Sequence, residues 1–141
     1  MLSSEVSLPT LPKMQPPPQR TLLQVEDNPA SADVVKQLIA RRSDLSLLTA
    51  TNGLDGIKMA RAAVPDLILM DMMMPGLSGL AAIAILREDP ATAQIPVIVL
   101  SSNAYPNEIE QGLIAGVFRY LTKPYKFENL MAAIDAALPR R

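Results

Sequence analysis

The sequence predicts an α/β domain built on a five-stranded, parallel, doubly wound sheet with five helices. From Thr21 onward, short apolar runs alternate with longer helical patterns, and each run is followed by turn chemistry or a helix start. Leu67-Ile68-Leu69-Met70 and Val97-Ile98-Val99-Leu100 are apolar throughout, as strands buried on both faces require.

The expected strands are Thr21–Val25, Leu45–Ala50, Asp66–Met70, Pro96–Leu100 and Arg119–Thr122. The first helix has Asn28 as N-cap and Pro29 at its first position, with Val34, Val35, Leu38 and Ile39 as its inward stripe. Further helices are expected over about Leu54–Ala63, Gly79–Arg87 (capped by Ser78) and Pro106–Ala115. In the last helix Phe127, Leu130, Met131, Ile134 and Leu138 follow the i, i+3, i+4, i+7 rule, while Lys126, Glu128, Asn129 and Asp135 lie off that stripe. The chain before the first strand holds Pro9, Pro12, Pro16, Pro17 and Pro18 and has neither helical nor strand period. Residues 1–19 therefore read as a proline-rich linker and 20–141 as one folded domain.

Composition narrows the chemistry. A length of 141 residues with 49% hydrophobic content suits a single core. A net charge of −1 offers no basic surface for nucleic acid or anionic lipid, so neither is an expected direct partner. With no cysteine and no histidine, disulfides, thiol nucleophiles, Ser-His-Asp triads and most zinc sites are excluded. No apolar run approaches the roughly 20 residues that span a bilayer, and the chain reads as cytoplasmic.

Doubly wound sheets bind ligands outside the carboxyl ends of their strands. There the first strand ends in Glu26-Asp27, the third in Asp71, the fourth in Ser101-Ser102 and the fifth in Lys123-Pro124. Three carboxylates gathered on one rim repel one another unless a cation compensates them. Mg²⁺ suits that task, because it takes oxygen ligands, keeps several waters and uses one or two carboxylates plus a phosphate oxygen. Phosphoryl transfer needs positioning and charge neutralisation above all, which metal, lysine and hydroxyl supply. An aspartate can serve as nucleophile and form an aspartyl phosphate.

In order along the chain, Val25-Glu26-Asp27-Asn28-Pro29, Asp71-Met72-Met73-Met74-Pro75-Gly76, Ser101 and Tyr120-Leu121-Thr122-Lys123-Pro124 resemble the receiver domains of two-component response regulators. The resemblance covers about Thr21 to Leu138 and implies a flavodoxin-like strand order 2-1-3-4-5. It implies phosphorelay signal transduction, with Asp71 accepting the phosphoryl group from a phosphohistidine. Asp27 and Asp71 would be magnesium ligands, Glu26 a ligand mainly through water, and the Met73 carbonyl the last protein ligand. Ser101 would bond the phosphoryl group, Lys123 would pair with it, and Lys123-Pro124 would be a cis peptide. Ser101 and Tyr120 would form the switch.

The implied partners are a histidine kinase or histidine phosphotransfer domain, and a downstream protein met by the fourth helix, fifth strand and fifth helix; a weak homodimer is a further option. Such a domain is no enzyme in the ordinary sense, since it promotes only its own phosphorylation and dephosphorylation. Glu-Asp-Asn-Pro, Glu88-Asp89-Pro90 and Gly116 to Pro124 are most similar to C-terminal receivers of hybrid sensor kinases. A stand-alone regulator would look nearly the same.

Other functions fit less well. A haloacid-dehalogenase-type phosphatase expects a second aspartate two residues after the nucleophile, where Met73 stands. Glu-Asp-Asn-Pro replaces the glycine-rich loop of nucleotide-binding folds. A pseudo-receiver, binding partners without phosphorylation, is the alternative function. Met73 and Asn103 occupy the positions two past Asp71 and Ser101, which often tune dephosphorylation in receivers, and Ser102 adds bulk beside them.

Overall fold

The computed structural model describes residues 19–102 and 106–139. The elements run β1 (Arg20–Val25), α1 (Pro29–Ile39), β2 (Leu45–Ala50), α2 (Gly53–Ala63), β3 (Leu67–Met70), α3 (Gly79–Glu88), β4 (Val97–Ser101), α4 (Pro106–Ile114), β5 (Arg119–Thr122) and α5 (Phe127–Ala137). The strands form one parallel sheet in the order β2-β1-β3-β4-β5. This is the expected doubly wound order, with β1 at the turning point and β3 beside it. The proline-rich segment read as a linker lies outside the described residues, apart from Gln19.

Alternation along the central strands builds two cores. Leu23, Val25, Ile68, Met70, Val97 and Val99 face Ile57, Ala60, Ile83 and Leu86 of α2 and α3. Leu22, Leu67, Leu69, Ile98 and Leu100 face Val35 and Ile39 of α1 and Leu130 and Ile134 of α5. Strands buried on both faces explain why their sequence is a continuous apolar run rather than an alternating one.

Helix starts follow their caps. Asn28 Oδ1 accepts from Ser31 N at 3.0 Å, Asn52 Oδ1 from Asp55 N at 2.9 Å and Ser78 Oγ from Ala81 N at 3.2 Å. In α1 the inward stripe is narrower than expected: Val35 and Ile39 are buried, but Val34 is 51% exposed. Leu38 packs partly buried beside Ile39, and Val34 lies at the outer edge of the stripe. Arg87 ties the far side of the sheet together, donating to the carbonyls of Ala93, Ile95 and Gly116 at 3.0, 2.8 and 3.2 Å. At the amino end of the sheet, Arg42 pairs with Asp44 and Asp135 at 2.8 and 2.9 Å and so joins the turn between α1 and β2 to α5. The paired guanidinium pulls the Asp44 carboxyl down to about 2.

Candidate functional site

The carboxyl ends of β1 and β3 lie side by side, with Val25 opposite Met70 in the ladder and Asp71 N donating to the Val25 carbonyl at 3.0 Å. That pairing brings Glu26, Asp27 and Asp71 together although they are separated along the chain. One carboxylate oxygen from each falls within 4.8 Å of the others. Glu26 and Asp71 are buried and Asp27 is exposed, so the cluster has one open side.

Each carboxylate is held differently. Glu26 accepts from Lys123 Nζ at 2.7 Å through Oε1 and from Asn28 N at 3.2 Å through Oε2. Asp71 Oδ1 accepts from Met73 N at 3.1 Å. Lys123, expected to face a phosphoryl group, is therefore paired with Glu26 in this state. The Asp71 carboxyl is pushed up to about 7, first by burial and then by its hydrogen bond to Glu26, with the Met73 amide and the Lys123 charge pulling the other way. One lysine does not offset three carboxylates.

The donor set fits a hard divalent cation. It consists of carboxylate oxygens and is open to water on the Asp27 side, and burial, with Glu26 beside it, raises the proton affinity of Asp71. The methionines around Asp71 do not make a soft-metal site: Met70, Met72 and Met74 are buried in the core, leaving Met73 exposed.

The remaining expected residues arrive from β4 and β5. Ser101 ends β4, fully buried, opposite Thr122 in the ladder, and Lys123 N donates to its carbonyl at 2.8 Å. Val99 lies opposite Tyr120, so alternation puts Ser101 and Tyr120 on the same sheet face, along which Tyr120 packs half-buried against the core. A Cβ built on Gly112 would stand 3.3 Å from the Tyr120 ring, which places α4 directly over that ring. The Lys123-Pro124 peptide is cis, as the resemblance implied. Ser102 is exposed, and Asn103 lies outside the described residues.

Two glycines that sequence reasoning left unassigned position the site. Gly79 opens α3 against the backbone of Asp71 and Met72: its amide donates to the Met72 carbonyl at 3.3 Å, and an added Cβ would meet the Asp71 carbonyl oxygen and lie 2.7 Å from Met72 Cα. Gly76, at φ 76°, takes the left-handed conformation that turns the chain after Pro75. Gly79→Ala is expected to cost about 1–3 kcal/mol by overpacking and to move the Asp71 loop. Chemical denaturation reads the loss, and unchanged stability would show that α3 can slide away without cost.

A cleft of about 390 Å³ opens beside Glu26 and Lys123 between α1 and the start of α5, with Val34, Leu38, Tyr125 and Phe127 on its walls. Val34 is exposed because it faces this cleft.

Residues 22–135 match the family model of the response regulator receiver domain. The chain belongs to that family, a component of two-component signalling. PilH of Pseudomonas aeruginosa is 36% identical over 117 residues, which cover 83% of this chain and 96% of PilH. Hybrid signal transduction histidine kinase D of Dictyostelium discoideum is 36% identical over 113 residues, covering 80% of this chain but 7% of the kinase. The sequence thus spans nearly the whole of one relative and a small segment of the other. Among solved structures, the receiver domain of a Pseudomonas aeruginosa sensor histidine kinase, with a magnesium ion coordinated in its active-site cleft, superposes with a TM-score of 0.77 at 29% identity. The match covers 84% of this chain and 96% of that one.

Proposed function

We propose that this domain accepts a phosphoryl group on Asp71, with Mg²⁺ held by Asp27 and Asp71 and more distantly by Glu26. The observation that carries the reading is the convergence of a buried, hydrogen-bond-oriented Asp71 with Glu26, Asp27 and Lys123 at one sheet edge. Bound Mg²⁺ would supply charge neutralisation to the carboxylates and to the equatorial phosphoryl oxygens. The chain's own residues do the rest. The Met73 amide fixes one Asp71 oxygen, which aims the carboxylate. That carboxylate forms the new O–P bond as the donor's N–P bond breaks, and the imidazole leaves with its electron pair. Lys123, paired with Glu26, would leave it for the arriving dianion.

The donor is a phosphohistidine on another domain or chain, since this sequence has no histidine. A histidine kinase or phosphotransfer domain fits, with the cleft beside Val34 and Phe127 offering apolar surface next to the site. Residues 1–19 would serve as a tether, and the signalling reading places the chain in the cytoplasm. The test is to treat the protein with acetyl phosphate and Mg²⁺ and to map the adduct. An acyl phosphate on Asp71 that depends on Mg²⁺ supports the reading, whereas a stable, partner-binding protein that never labels would identify a pseudo-receiver.

Readout is proposed for the face made by α4, β5 and α5. A dianion on Asp71 draws the Ser101 hydroxyl toward it, and Tyr120, on the same sheet face under Gly112 of α4, moves into the vacated space. Tyr120→Ala should leave labelling intact while reducing the phosphorylation-linked backbone NMR shifts in α4 by more than half. Shifts of α4 that persist at full size in this variant would rule the switch out.

Lifetime is the second quantitative consequence. Hydrolysis needs a water held in line with the leaving carboxylate, and a thioether cannot orient it by hydrogen bonding. Replacing Met73 by Asn supplies an amide at this exposed position and should speed decay by about three- to tenfold. Decay of the phosphorylated forms measures it, and an equal or longer lifetime for Met73→Asn would reject the argument.

A further inference from the structure

We infer that Met73 is a reversible oxidation site that sets the lifetime of the phosphorylated state. This inference rests on the proposed phosphorylation of Asp71. Four methionines cluster around the phosphoacceptor, and the fold sorts them sharply. Met70, Met72 and Met74 are 1%, 7% and 8% exposed and are packed in the core, whereas Met73 is 56% exposed. Elsewhere among the described residues, Met131 is buried and Met59 only partly so. Among the described residues an oxidant arriving from water therefore meets the Met73 thioether first, because oxidation of methionine follows access to sulfur.

The position of Met73 gives the modification a consequence. Its amide donates to Asp71 Oδ1 at 3.1 Å, so its side chain departs from backbone already in contact with the phosphoacceptor carboxylate. A peroxide converts the thioether to a sulfoxide: the O–O bond breaks, an S–O bond forms, the sulfur gives up two electrons, and water leaves. The group at the rim changes from one that accepts hydrogen bonds weakly to one with a strong acceptor oxygen. That oxygen can hold and orient water beside the acyl phosphate, which the thioether does not do. Oxidised Met73 thus resembles the Asn replacement in effect, and the signal is shortened under peroxide stress. A methionine sulfoxide reductase supplied with a thiol reductant breaks the S–O bond, the thiols giving two electrons and closing to a disulfide as the oxygen leaves as water, and so restores the longer lifetime.

The experiment uses the full chain. Peptide mass spectrometry after graded hydrogen peroxide should find Met73 converted before Met70, Met72, Met74 and Met131. Protein oxidised to that point and untreated protein are then phosphorylated with acetyl phosphate and Mg²⁺, and decay is followed after donor removal. Oxidation is expected to accelerate decay about three- to tenfold, the worth of one hydrogen bond to the reacting water. Reductase treatment should reverse the change, and in Met73→Leu the ratio of decay rates with and without peroxide should be one. Buried methionines oxidising as early as Met73 would overturn the inference. So would an unchanged or slower decay once Met73 is converted, or an equal peroxide response in Met73→Leu. Failure of the untreated protein to form any acyl phosphate would instead strike at the phosphoacceptor assignment itself.

Discussion

Asp71→Asn is expected to abolish labelling by acetyl phosphate and, in the absence of divalent metal, to make the protein more stable. The first effect follows from the loss of the proposed nucleophile. The second follows from the cost of the site itself. In the metal-free protein the Asp71 carboxyl is pushed up to about 7 from an ordinary 3.8, so the folded chain holds a proton there that the unfolded chain has released. Between those two values the native state binds more protons than the unfolded state, and stability falls as pH rises through the window. An amide has no charge to desolvate and no quarrel with Glu26. The variant should therefore gain about 1–3 kcal/mol above pH 7, several degrees in Tm for a domain of this size, and lose most of that gain near pH 4. Thermal melts of both proteins in chelator across pH 4 to 8 make the comparison. A variant less stable than the parent at pH 8 would mean that the Met73 amide and Lys123 already compensate Asp71.

Burial and the locality of a signal decide which parts of this protein could be read from its sequence. Strands β3 and β4 were legible because burial on both faces leaves no choice but continuous apolar residues, and the caps at Asn28 and Ser78 were legible because capping is local. The strand edges were less so. Asp66 and Pro96 were expected inside strands that begin at Leu67 and Val97, and Ser101 proved to be the last residue of β4 rather than the first beyond it. Asp66 spends its carboxylate on the Thr21 amide at 2.8 Å, a long-range bond that no local pattern announces.

The gathering of the acidic residues and Lys123 at one sheet edge could be expected from their places at strand ends. Their pairing could not. Lys123 and Glu26 are 97 positions apart and meet only because β1, β3, β4 and β5 stand in that spatial order. Gly79 was legible as a helix start, but its close approach to Asp71 was not, since it comes from α3 starting against that backbone. Val34 misled the periodic reading because an apolar residue beside a cleft looks like a core residue in sequence.

Mg²⁺ is expected to reverse the cost of the rim, and Asp27 is the residue whose loss should prevent this. Binding to the native state alone stabilises it by RT ln(1 + [L]/Kd), about 1.4 kcal/mol when the metal is at ten times its Kd. The native protein should accordingly show a rise of several degrees in Tm on adding Mg²⁺. Because the proposed ligand set includes an ionised Asp71, protons compete with the cation. Apparent affinity should weaken by up to about tenfold per pH unit below about 7 and level off above that value. Asp27 is the exposed member of the acidic cluster, so Asp27→Asn removes a charge of the proposed ligand set without emptying a buried site. The variant should fold as well as the parent in chelator, yet lose most of the Mg²⁺-induced rise in Tm and slow acetyl phosphate labelling by at least about tenfold, the equivalent of about 1.4 kcal/mol in the transition state. Melts with and without Mg²⁺, paired with labelling rates at saturating donor, separate folding from metal binding. A full Mg²⁺ response in Asp27→Asn would take Asp27 out of the ligand set and leave Glu26 and Asp71 to hold the cation.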